Sequence, residues 1–165
     1  SMNVSIEERF MSAYDQFADP IFRFCYAQIG QREVALDLMQ ETFSLVWKYL
    51  ADGHRIDEMR PFLYRTARNA LIDYTRRPVA QSLDALLASG FDVADNYASD
   101  PHVSAQAAEV IRYISKLEEP YREVVALRFV DDLMPREIAR IIGENENTVS
   151  VRITRGMQKL RESMK

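Results

Sequence analysis

The side chains in this chain best suited to chemistry are arginines, amides and carboxylates repeated at helical steps, rather than nucleophiles or metal ligands. Residues 136–149 read Arg-Glu-Ile-Ala-Arg-Ile-Ile-Gly-Glu-Asn-Glu-Asn-Thr-Val and lead into Ser150, Val151, Arg152, Arg155 and Lys159. Asn147 is of a type that pairs with adenine, and Arg152 of one that pairs with guanine or phosphate. Thr148, Ser150 and Val151 fall on the same turns. Arg155, Lys159, Arg136 and Arg140 suit backbone phosphates, which position a protein without reading sequence. Arg65, Arg68, Asn69, Arg76 and Arg77 form a second cationic set, and Asp37, Gln40, Glu41 and Ser44 recur as a polar stripe. Cys25 is the single cysteine and His54 and His102 are the two histidines, so multi-cysteine zinc sites are excluded and no metal or cofactor is expected. No P-loop, nucleophile–base pair or zinc-hydrolase motif is present, and the chain is not expected to be an enzyme.

The elements that must hold these residues are helices. Gly143 suits the left-handed turn that closes a short helix, and Asn145 caps the next. Ile138, Ala139 and Ile142 face inward from the first, while Val149, Ile153, Met157 and Leu160 give the second an apolar seam. Two helices joined by a short Gly-containing turn make a helix-turn-helix, whose second helix enters the major groove in the DNA-binding version. The same pattern also fits a plain helical hairpin with solvated cations.

Upstream, Asp19-Pro20 predicts a helix start, or a kinked continuation, running to Gly30. A helix over about 32–51 turns Val34, Leu38, Met39, Val46, Trp47 and Leu50 toward a core and carries the stripe of Asp37, Gln40, Glu41 and Ser44 on its polar side. By itself such a stripe is a solvated face. A third helix opens at Pro61 and ends at Arg77, because the residue before Pro78 disfavours the helical region. Periodicity fades over 78–104, where a turn of helix at 82–87 is the most that is expected. Helices follow at about 104–116, 119–130, 135–142 and 146–163. The fold class expected is all-α: two small helical domains, 1–77 and 105–165, joined by a linker at 78–104.

With 165 residues the chain has room for two such units, and its 47% hydrophobic and 28% charged composition is globular. The net charge of −4 conceals two basic islands. Residues 60–77 carry five cations against one acid and residues 133–165 carry seven against four, while the linker has four Asp and no cation. No run approaches the ~18 apolar residues of a membrane span, so no membrane insertion is expected. A lone cysteine fits a reducing, cytoplasmic setting.

Asp37-Leu38-Met39-Gln40-Glu41-Thr42-Phe43, together with 62–73 (Phe-Leu-Tyr-Arg-Thr-Ala-Arg-Asn-Ala-Leu-Ile-Asp), resembles region 2 of extracytoplasmic-function (ECF) sigma factors. Leu117, the run from Tyr121 to Val124 and the helix-turn-helix resemble their region 4. The resemblance implies a promoter-recognition subunit of bacterial core RNA polymerase. Region 2 would dock on the clamp coiled coil through Asp37, Gln40, Glu41 and Ser44. His54 and Arg55 in the loop 52–57, with Arg65, Arg68, Asn69, Arg76 and Arg77, would handle the minus-10 element. Region 4 would read the minus-35 element. An anti-sigma factor is a further partner implied, and the free protein is expected to be a monomer. Two alternatives stand beside this: a sigma mimic that sequesters an anti-sigma factor, and a stand-alone helix-turn-helix repressor. The chain departs from the family pattern at Asp132, a frequent Gly, at Met134, a usual capping Ser, and at Ser150, often Lys.

Overall fold

The computed structural model describes residues 4–77 and 103–165, and these residues form seven helices and no strand. They are α1 (Ile6–Ile29), α2 (Arg32–Ala51), α3 (Met59–Thr75), α4 (Ala105–Ser115), α5 (Tyr121–Asp131), α6 (Pro135–Ile142) and α7 (Glu146–Ser163). The expected helical turn at 82–87 and nearly all of the linker lie outside the described residues.

Of the two alternatives at Asp19-Pro20, the continuation holds and the helix start does not: α1 begins fourteen residues earlier, capped by Ser5, whose Oγ accepts from Glu8 N at 3.1 Å, and runs through Pro20. Proline inside a helix removes one backbone bond and crowds the preceding turn. Burial of Phe17, Ile21 and Phe22 on either side of Pro20 supplies the compensation. The helix ends where Gly30 takes φ +73° and donates to Tyr26 O at 2.8 Å. Similarly, α3 begins at Met59 rather than at Pro61. Pro61 falls within the first turn, where the missing N–H would have had no helical partner.

From Ile21 to Ala27 only Arg23 escapes burial. A helix that is apolar all round is covered all round, and α1 is packed by α2 and α3 as well as by α4 and α5. Val124, Val125, Ala126 and Leu127 make α5 the matching central helix of the second half, packed by α1 and α7. One continuous core therefore runs through both halves. Cys25 belongs to it: fully buried, its thiol is pushed by desolvation up to about 12.

Candidate nucleic-acid and partner interfaces

The helix-turn-helix is built as its sequence requires. Gly143 takes φ +74° and donates to Ala139 O at 2.9 Å, and Asn145 Oδ1 accepts from Thr148 N at 2.8 Å to start α7. Ile138 and Ala139 are buried as expected, but Ile141 rather than Ile142 is the third core residue of α6. Gly156 lies buried where α7 crosses α5. Along the exposed start of α7, Asn147, Val151, Arg152 and Arg155 line one side of a recess of about 350 Å³, with Tyr121 opposite. Val151 is 48% exposed, as a side chain free to meet a base would be. Ser150 and Thr148 are half-buried, and Arg136 and Arg155 are exposed.

Three of the cations expected at the upstream duplex already have acidic partners. Arg152 Nη2 is 3.4 Å from Glu144 Oε1. Lys159 Nζ is 3.3 Å from Glu118 Oε1 and lies over the Tyr121 ring. Arg140 Nη2 is 2.5 Å from Glu58 Oε2, across to the first half. That last pair is about half exposed on both sides, so it contributes ~0–1 kcal/mol and orients more than it stabilises.

In the first half, His54 is exposed and stacks on Tyr49 with centroids 4.4 Å apart; Tyr49 in turn lies 4.9 Å from Phe62. The loop carrying His54 is anchored by buried Ile56, whose carbonyl accepts from the Arg9 guanidinium. Neither Tyr49, Ile56 nor Arg9 stood out in the sequence, where each fits an ordinary helix or loop position. Arg55 pairs with Asp57 at 3.2 Å in full solvent. Arg65, Asn69, Arg76 and Arg77 are exposed, with Arg77 over the Tyr74 ring at 5.0 Å.

Arg68 is placed elsewhere. Together with Arg60 and Tyr64 it forms one face of α3 at steps of four, and that face meets the second half. Arg68 Nε is 2.5 Å from Glu123 Oε1, and Arg60 donates to Glu137 Oε2 from Nε at 3.0 Å. Arg60 Nη1 lies 3.9 Å from Asp131 Oδ1, and Tyr64 Oη donates to Asp131 Oδ2 at 3.0 Å. Arg122 Nε donates to Gln28 Oε1 at 2.9 Å. Burial raises the pKa of Glu123 against the pull of Arg68, and raises that of Asp131 against the Tyr64 hydrogen bond and Arg60. Burial also works to lower that of Arg60, but Glu137 and Asp131 outweigh it and hold the guanidinium above its ordinary value. Charges desolvated to this degree give register rather than net stability. The apolar packing of α1 on α4 and α5, at ~1.5–3 kcal/mol per large buried side chain, holds the halves together.

Asp37, Gln40, Glu41 and Ser44 are all exposed on one face of α2. Gln40 and Ser44 also line a groove of about 680 Å³ between α1 and α2, floored by Phe10, Tyr14, Phe43 and Trp47. Trp47 was expected in the core; it is 37% exposed and packs edge-on against Phe10 at 5.2 Å. Its place three residues after Ser44 and seven after Gln40 puts it on the stripe's own face.

A helical unit with a loop-borne aromatic stack, joined to a helix-turn-helix unit, has the architecture that a two-part DNA-binding transcription protein needs. The Sigma-70 region 2 model matches residues 13–79 and the Sigma-70 region 4 model residues 107–160. The chain is 31% identical to the ECF RNA polymerase sigma factor SigW of Bacillus subtilis, with 96% of this chain and 90% of that one covered. It is 29% identical to SigM of the same organism, with 90% of each covered. In fold it is similar to the sigma factor RpoE of Bartonella quintana, solved with the anti-sigma factor NepR (TM-score 0.68, 18% identity, 94% of this chain and 96% of that one). The chain belongs to the ECF sigma factor family.

Proposed function

We propose that this protein binds core RNA polymerase and directs it to promoters, acting in the cytoplasm as a binding and melting factor and not as a catalyst. Residues 1–77 form the unit that docks on the polymerase and handles the minus-10 element, 105–165 the unit that reads the minus-35 element, and 78–104 the acidic connection. The observation that carries this reading is the α2 stripe: Asp37, Gln40, Glu41 and Ser44 exposed together on a rigid helix beside an open aromatic groove. Carboxylates fixed in this way pair with arginines on a partner and set its register. The Tyr49–His54 stack supports capture of an unstacked base, since single-strand binding combines aromatic platforms with nearby cations. An anti-sigma factor is the natural regulator, covering the stripe or wedging between the halves. The mimic reading fits less well because the third helix keeps its arginines, and the repressor reading because a stand-alone helix-turn-helix has no use for the exposed α2 stripe.

The test is transcription with core polymerase from the source organism on a promoter library. Product that depends on the protein is expected. Asp37→Lys with Glu41→Lys should abolish polymerase binding while leaving the circular dichroism spectrum unchanged. Unaltered binding by that double variant would remove the stripe from the interface.

A further inference from the structure

Arg152 is held differently from the other cations of the helix-turn-helix. Arg136 and Arg155 are exposed, whereas the Arg152 side chain is 25% exposed and has Glu144 Oε1 at 3.4 Å from its Nη2. Glu144 lies in the turn between α6 and α7, and the main chain fixes it there. The amides of Gly143 and Glu144 both donate to Ala139 O, at 2.9 and 3.1 Å, and Asn145 opens α7 by accepting from Thr148 N. Glu123 of α5 is a second acid within electrostatic reach: burial raises its pKa, and Arg152 is among the charges that work against burial. A guanidinium expected to face DNA thus sits within reach of two acids, on a surface where a carboxylate repels phosphate. The turn itself needs no side chain at Glu144, which is exposed.

An arginine at a DNA surface has two kinds of partner. Phosphates are numerous and attract it from any direction, while a guanine edge accepts it only when its planar fork arrives in register. A neighbouring carboxylate tips that choice in two ways. It offsets part of the guanidinium charge, which weakens the pull of phosphate. It also engages Nη2 alone, so the remaining donors of the fork stay free for the two acceptors of guanine. We propose that Glu144 is a positioning residue for minus-35 reading: it holds the Arg152 guanidinium for a guanine edge and keeps it off the phosphate backbone, raising base preference and lowering overall grip. This rests on the sigma-factor reading with Arg152 as a base reader, and adds the residue that sets that reader's selectivity. Specificity is a difference of affinities, and an acid set against the commoner contact widens the difference.

The test is binding of the assembled polymerase, carrying the full chain, to promoters that differ at single minus-35 base pairs, over a series of salt concentrations. Glu144→Gln is an isosteric change at an exposed turn and should leave the melting temperature of the chain unaltered. It should lower the preference at one base pair by about 2- to 5-fold, the worth of a part-exposed ion pair, while binding to the disfavoured promoters tightens. The slope of log affinity against log salt should steepen by about 0.9 as Arg152 gains a phosphate. Glu146→Gln is the control for charge alone: it removes the same charge two residues on, from an exposed site, and should tighten all promoters alike. In an Arg152→Ala background Glu144→Gln should no longer alter preference, since its action passes through that side chain. The proposal is overturned if Glu144→Gln shifts every promoter by one factor, as the control does, or if its effect on preference survives the loss of Arg152. Uniform losses for Arg152→Ala overturn it too, by removing the reader that Glu144 positions. Failure of the wild-type chain to bind polymerase, or to favour any promoter once bound, would strike the functional reading instead.

Discussion

A methyl group on Gly156 would stand 2.5 Å from Val125 Cγ2 and 3.4 Å from Tyr121 Cβ. Two effects compete when Gly156 becomes Ala. Helix propensity gains ~1 kcal/mol, while overpacking a tight crossing costs ~1–3 kcal/mol. The neighbour is a β-branched side chain in a helix, which has one strongly preferred rotamer and little room to turn. The clash should win, with a net loss of up to about 2 kcal/mol in urea denaturation, and a smaller loss in a Val125→Ala background because the pair is coupled. A more stable Gly156→Ala protein would show that α7 can slide off α5 at no cost. In the sequence this glycine reads only as a weak spot in a helix, because its reason lies on another element. Trp47 was misread for a related cause. Indole is usually buried, and nothing local announces that the groove beside it is open.

At the scale of elements, legibility follows the caps. The start of α4, the end of α6 and the start of α7 were readable to within a residue or two because Ser104, Gly143 and Asn145 carry the chemistry of helix ends; α2 and α5 lack a side-chain N-cap and were legible from apolar periodicity instead. The starts of α1 and α3 were read late, by fourteen residues and by two, since Pro20 and Pro61 each give a start signal although the helix already runs before them. The start of α6 is where this chain departs from good capping. Asp132 sits at φ +49°, a left-handed conformation that disfavours most side chains and that glycine takes readily. Met134 occupies the N-cap of α6 without a side-chain oxygen to offer, although Glu137 Oε1 accepts from its N–H at 3.4 Å. Asp132→Gly should therefore stabilise by about 0.5 kcal/mol, because the Arg128 ion pair it gives up is largely exposed and contributes little. Met134→Ser completes a capping box and should add about 1 kcal/mol. Together they should raise the melting temperature by roughly 3–6 °C, read by calorimetry. A fall on Met134→Ser would mean that the exposed thioether is held by contacts of greater worth than a cap.

For the whole molecule, hydropathy tells which residues point inward but not which charged face meets which. Arg60, Glu123, Asp131 and Glu137 stand out in no way in the sequence and Arg68 was assigned to the minus-10 element; their complementarity becomes visible only once α1 brings the halves together. A trace was present in the sequence: the apolar runs 21–27, broken only by Arg23, and 124–127 require neighbours on nearly every side, more than a three-helix unit provides.

The reading of the minus-35 element can be separated from mere attachment at the same scale. Arg152 and Arg155 stand one helical step apart on the exposed start of α7, yet the physics assigns them different work. Arg152 lies in the turns nearest the helix N-terminus, where base edges come within reach in a DNA-bound helix-turn-helix, and it lines the recess while paired with Glu144. Arg155 is further along and exposed, placed to meet phosphate. In transcription by the assembled polymerase on a promoter library, Arg152→Ala should cost about 1–3 kcal/mol at one base pair and relax preference there. Arg155→Ala should weaken all promoters alike and reduce the salt slope by about one. These effects belong to the assembly, because two weak modules held on one polymerase act at high effective concentration. The free chain, with a modest positive excess on its second half, should bind the same DNA weakly and with little preference. Equal losses across every promoter for Arg152→Ala would reduce that residue to a phosphate contact and shift base reading to Asn147 and its neighbours.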